Sequence, residues 1–270
     1  MRRFLFFLLL FNLSIMFSSC NKETSTAYTD TPIIEGFLIS SEHAKVKIYR
    51  QTPFSDDPTY SPDDIDHLEV RIQYNGTEYI LTPIGNGVYE NTSVQLVDEG
   101  EYYLSFTFNS KNVSAYTKVP SKPQNFTQSA VEMEIERMDT TFSGPPSFSQ
   151  PDPIELNWDN PDGSYYLIVV ENMESFLDPI RDFGDVEPPG NIFRKSPTQA
   201  EGDELRAMEF EYYGTHRIIL YHVLPDYAAL YEENSTSSQN ISNPSSSIVN
   251  GYGIFTGLNA DTLYVEVKEP

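Results

Sequence analysis

The sequence predicts an all-β protein built as two β-sandwiches in series. Three observations predict it. Short apolar-alternating runs recur at 8–12-residue spacing with turn residues between them. Aromatics are abundant, with 18 Tyr and 17 Phe, and such residues suit pleated, half-buried surfaces. A helical period is missing from nearly the whole chain. At 270 residues the chain is long enough to bury a core without disulfide staples.

The elements follow in order. Residues 1–19 read as an export signal. Arg2 and Arg3 precede an apolar stretch over 4–17, shorter than the roughly 20 residues that span a bilayer. Ser18 and Ser19 then lead to Cys20, the single cysteine, in the manner of a bacterial lipobox, so Cys20 is the expected lipidation site. Residue 17 is Phe where a lipobox usually has Leu. Several acyl chains, at roughly 0.8 kcal/mol per buried CH₂, would anchor the chain durably. A polar tether fills 20–30, and its Lys22-Glu23 pair partly resembles the signal that sends Bacteroidota lipoproteins to the cell surface. The expected location is the outer membrane, lipid-anchored and facing outward.

Residues 31–120 form the first unit. The run 33–39 is apolar enough to be buried on both faces, while 46–50 and 68–74 alternate. Asn75-Gly76 supplies a tight hairpin turn into 78–81. A second turn at 85–87, an alternating run at 100–108 and a closing strand at 113–119 complete an immunoglobulin-like pattern. Residues 121–270 form the second unit, opened by Pro120 and Pro123. Here 154–161 and 165–170 resemble the second and third strands of a fibronectin type III module, with Trp158 as a core residue, and 217–223 looks like a later strand. A Pro- and Gly-containing insert at 174–203 is expected as a long irregular loop, residues 225–232 as a short helix, and the Ser/Asn-rich 234–247 as a mobile linker.

Charge and chemistry restrict the function. Forty acidic against 17 basic residues give a net charge of −23, which repels phosphate backbones and argues against nucleic-acid binding. One cysteine rules out a disulfide framework and multi-cysteine metal sites. No nucleophile elbow, phosphate loop or dinucleotide fingerprint occurs, so no catalytic residue, cofactor or metal is assigned. His43, His67, His216 and His222 lack metal-ligand spacing and are expected as partly exposed strand histidines. The acidic stretch 55–66 is read as a solvated loop, with cation binding the alternative. Tyr60, Tyr212, Tyr213 and Tyr252 are candidate exposed aromatics for sugar stacking or a protein interface. Asp139-Thr140 and Asp261-Thr262 resemble O-glycosylation acceptors. Gly251 and Gly253 suit a bend where side chains would block close backbone approach.

The lipobox, the opening Pro32-Ile33-Ile34-Glu35-Gly36-Phe37-Leu38, the segment Gly100-Glu101-Tyr102-Tyr103-Leu104, then Trp158 and Tyr165-Tyr166, and the ending from Ile241-Ser242-Asn243-Pro244 through Val249-Asn250-Gly251-Tyr252-Gly253-Ile254-Phe255 together resemble the Bacteroidota lipoproteins of domain-of-unknown-function family 4249. The resemblance covers most of the chain beyond the signal. It implies an envelope lipoprotein of two β-domains, often encoded beside TonB-dependent outer-membrane transporters, and carries over no catalytic residue. The expectation is a non-catalytic accessory or ligand-binding partner of such a transporter. The alternatives are a surface adhesin or structural envelope protein and, less favoured, a glycan or peptide hydrolase. The 174–203 insert and the 226–247 segment are the expected contact surface.

Overall fold

The computed structural model describes residues 30–51, 65–137, 151–184, 186–233 and 247–270. Cys20, Tyr60, Asp139-Thr140 and most of the acidic stretch 55–66 lie outside them. The chain is all-β, with one short helix and one 3₁₀ turn among the described residues.

In the first unit, strands β1 (Pro32–Ile39), β2 (His43–Arg50), β5 (Thr82–Gly85) and β6 (Val88–Gln95) form one layer in the order β1-β2-β6-β5. Strands β3 (Arg71–Tyr74), β4 (Thr77–Ile80), β7 (Glu101–Phe108) and β8 (Lys111–Lys118) form the facing layer, β4-β3-β7-β8. Asn75 and Gly76 both take positive φ, the two-residue turn the sequence called for, and Tyr74 pairs with Thr77 across it. Asn109 and Ser110 do the same between β7 and β8. The inward residues of both layers, among them Ile34, Leu38, Ile48, Ile72, Tyr102 and Leu104, make the first core.

In the second unit, β9 (Gln124–Gln128), β11 (Ile154–Asp159) and β15 (Gly202–Leu205) form a three-stranded layer, β15-β11-β9. Facing it are β14 (Ile192–Arg194), β12 (Tyr165–Asn172), β16 (Tyr212–Val223) and β17 (Tyr252–Lys268), with β10 (Glu132–Glu134) on β17 and β13 (Asp178–Pro179) on β16. A three-stranded layer facing a larger one, with β11 and β12 in opposite layers, is a fibronectin type III-like sandwich. Trp158 is 3% exposed, edge-on to Phe126 at 6.4 Å and tilted against Tyr166 at 5.7 Å. It is a core residue, as its alternation with Ile154 and Leu156 predicts.

Three sequence expectations need correction. The 174–203 insert contains β13 and β14 and leads into β15. These strands are two to four residues long and weakly apolar, and ladder partners on β11, β12 and β16 order them. The histidines of β16 are buried, His216 at 4% and His222 at 7% exposure. Tyr212 and Tyr213 are buried too, at 3% and 7%, because β16 is covered on both faces. They offer no exposed platform.

The two units share a sheet. The first seven residues of β17 pair in parallel with β1, Ile33 opposite Tyr252 through Ile39 opposite Leu258. From Leu258 onward β17 pairs with β16. The division at residue 120 therefore leaves out the strand that completes the first layer: Ile248 and Phe255 belong to the first core, and Val265 and Val267 to the second. Gly253, at φ +102°, is where β17 meets β1; a Cβ there would overlap the Ile34 carbonyl oxygen and lie 2.9 Å from Ile34 N. This is the close backbone approach its sequence context suggested.

Candidate functional site

Alternation along the shared strands sorts the side chains into two faces. The inner face carries Phe255, Val265 and Val267 of β17, with Ile34 and Leu38 of β1, against the two smaller layers. The opposite face has no second sheet among the described residues. At its centre, where the two units join, lies a third apolar cluster of Leu167, Val169, Ile219, Val223 and Leu258, flanked by Phe37, Ile39 and Tyr221.

One helix, α1 (Pro225–Glu233), rests on this face. Pro225 suits the first helical turn, where its missing N–H costs nothing. The Asp226 carboxylate accepts the Tyr227 N–H and the Thr256 hydroxyl, both at 2.9 Å, which fastens the helix to β17. Tyr227 then meets Phe37 edge-on at 5.9 Å and lies 6.0 Å from Tyr231.

Beside the helix is a cavity of about 190 Å³ lined by Phe37, Ile39, Leu167, Val169, Arg194, Tyr221, Tyr227 and Leu258. Its walls come from both units. Burial pushes the Tyr227 hydroxyl up to about 12, with help from the neighbouring Tyr231, and also raises Tyr221. Both are therefore neutral donors at physiological pH. Arg194 is exposed at the mouth. A broader, charged hollow lined by Glu35, Glu42, Lys45, Lys47 and Glu90 adjoins it across Phe37.

Of the two segments expected to form a contact surface, Arg194 of the insert and Tyr227 of the helix line this cavity, while 234–246 lies outside the described residues. Phe37, Ile39, Leu258 and Tyr221 are additions. The signal for them was present in the double-sided apolar run 33–39 and in the apolar residues on both faces of 217–223.

The other candidate residues lie elsewhere. His216 is a structural residue: its Nδ1 donates to the Gly214 carbonyl at 2.9 Å and its Nε2 accepts from the Asn172 amide at 3.2 Å. Burial holds its pKa below the usual histidine value. His222 donates from Nδ1 to the Ser121 carbonyl at 2.8 Å and stacks on Tyr166. Asp66 accepts from the Asn86 and Gly87 amides. Asp261 pairs with Lys122 at 2.9 Å, and the adjacent Thr262 is half-buried. Tyr252 is half-buried in the shared sheet. Among the described residues no three His, Cys, Asp or Glu side chains group as a metal site, and no helix is long and apolar enough to cross a membrane.

No family model and no curated protein matches the chain. Among solved structures, the crystal structure of domains A168–A170 from titin is similar over 88% of this chain and 67% of that one, at 10% identity and a TM-score of 0.22.

Proposed function

We propose that this chain is a non-catalytic cell-envelope lipoprotein, held on the outer membrane by acylated Cys20, that serves a TonB-dependent transporter as its accessory or ligand-binding partner. The observation that supports binding rather than catalysis is the joined sheet. It presents one broad face with an apolar cavity at its centre, and its polar groups are hydrogen-bond donors and an arginine. The lipobox supports the address, and the resemblance to family 4249 supports the partner. Purification of the native protein from outer membranes in mild detergent should recover a transporter with it. Repeated recovery of the lipoprotein alone would overturn the partner assignment, and resistance of the protein to protease on intact cells would overturn the outward orientation.

A second reading, an adhesin, draws on Tyr103 and Tyr116. They stand half-exposed side by side on the outer face of β7 and β8, with ring centroids 4.8 Å apart. A deletion strain that grows normally on every nutrient but adheres poorly would favour it.

A further inference from the structure

We propose that the cavity beneath α1 is a binding site for a small amphipathic carboxylate, a single ring or short acyl chain carrying one acid group. This rests on the reading of the chain as a ligand-binding accessory and names the class of ligand. The apolar body has its complement in Phe37, Ile39, Leu167, Val169 and Leu258. A volume of 190 Å³ has room for on the order of a dozen waters, hence for a ligand of about ten non-hydrogen atoms.

Charge complementarity selects the head group. Acidic residues outnumber basic ones 40 to 17, and every other described arginine is paired with a carboxylate: Arg50, Arg71, Arg137, Arg181, Arg206 and Arg217. Arg194 has no such partner among the described residues and lines the cavity from its exposed side. Glu171, two residues along β12 from Val169, is held by Arg217. Glu42 acts on Tyr221 from the adjoining hollow. The Tyr221 hydroxyl makes no hydrogen bond among the described residues and lines the same cavity. A carboxylate at the mouth would accept from both the guanidinium and this phenol, while the phenol, kept neutral by burial, cannot repel it. A cation would be repelled by Arg194, and a neutral ligand would form no ion pair with it.

The full chain, extracted in a maltoside detergent, can be titrated with 3-phenylpropanoate and with its uncharged analogue 3-phenylpropanol, followed by saturation-transfer NMR against a detergent-only control. The acid should bind more tightly than the alcohol. Arg194→Gln removes an exposed charge and leaves the apolar walls intact. It should weaken the acid ten- to a hundredfold, as expected for a hydrogen bond to a charged group, and leave the alcohol nearly unchanged. Tyr221→Phe should weaken the acid several-fold, and Val169→Trp, which fills the cavity, should abolish binding of both. Equal affinity for acid and alcohol, indifference of the acid to Arg194→Gln, or no binding of the acid at millimolar concentration would each overturn the proposal. A transporter that still co-purifies in any of those cases would leave the partner reading standing, so the two fail separately.

Discussion

Replacing Gly253 by Ala tests whether the two sandwiches are one cooperative structure. Gly253 has φ +102°, and Cβ at that position would overlap the Ile34 carbonyl oxygen and approach Ile34 N to 2.9 Å. Gly76 supplies the control: its φ is also positive, +74°, but nothing lies within 4 Å of a Cβ there. Both substitutions carry the conformational cost of a left-handed residue, about 1–2 kcal/mol. Gly253→Ala must also push β1 from β17, and two lost ladder bonds at about 1 kcal/mol each bring its total to about 3–4 kcal/mol. For a chain of this length a loss of that size lowers Tm by about 10 °C, against only a few degrees for Gly76→Ala. The assay is thermal unfolding of the full chain, followed by circular dichroism and by fluorescence of Trp158. Trp158 sits in the second core, away from the substitution, so its transition should fall together with the circular dichroism transition. A Trp158 transition that stays at the wild-type temperature, or equal effects of the two glycine variants, would refute a shared sheet as the source of stability.

Three further outcomes are expected. Cys20→Ala should move the protein from the detergent to the aqueous phase in cloud-point partitioning and abolish palmitate labelling; a wild-type protein that never takes up label would end the anchoring account. His216 is depressed in the folded state, so folding favours its neutral form. The stability it contributes is present above about pH 6.5, the unfolded value, and is lost as pH falls through that value towards the folded one. His216→Gln should flatten this limb of the urea-midpoint profile between pH 7.5 and 5. Trp158→Ala should cost about 3–5 kcal/mol by urea unfolding, the range for emptying a large aromatic site in a core, whereas Tyr103→Ala, on the exposed face of β7, should cost far less.

What could be read from the sequence was what alternation and turn chemistry specify locally. The strands around Asn75-Gly76, the 100–108 run, the burial of Trp158 and the helix at 225–232 all follow from residues within a few positions of each other. The parallel pairing of Ile33 with Tyr252 does not, because nothing local in either segment names a partner more than 200 residues away. Gly253 marked a close approach but not what approached. The β14 and β15 strands were hidden for a different reason. Gly202-Asp203-Glu204-Leu205 has one apolar residue, and its extended backbone is fixed by β11 and by Lys195, which bridges Asp203 at 3.0 Å and Glu209 at 3.1 Å. The buried histidines were misjudged because a period of two identifies a shared face without saying which face is covered. The cavity is half legible: its insert and helix residues stand in segments the sequence marks off from the strands, and the sheet residues between them follow only from the register.

The shared strand also decides how the cavity can work. Two sandwiches on a free linker would open and close, and a site between them would be remade at each encounter. Here the connection is stitched to β17 on the inner side. The Gly257 N–H donates to the Thr117 hydroxyl at 2.8 Å, and the Asn259 amide donates to Asp98 and to the Pro120 carbonyl, both at 2.8 Å. His222 holds the Ser121 carbonyl, and Lys122 holds Asp261. Pro120, Ser121 and Lys122 are thus each tied through a polar group to β16 or β17, and Val119 is buried in the first core. A linker fixed in this way transmits no hinge. Phe37 and Ile39 of β1 are held in register against Leu167 and Val169 of β12 through two intervening strands. A ligand entering the cavity then meets walls already in place, and the free energy of its contacts is not spent on ordering them. Rigidity of the frame and the placing of the cavity on the face away from both smaller layers have the same origin: β17 is long enough to serve both units, and once it does, both smaller layers lie on the same side of it.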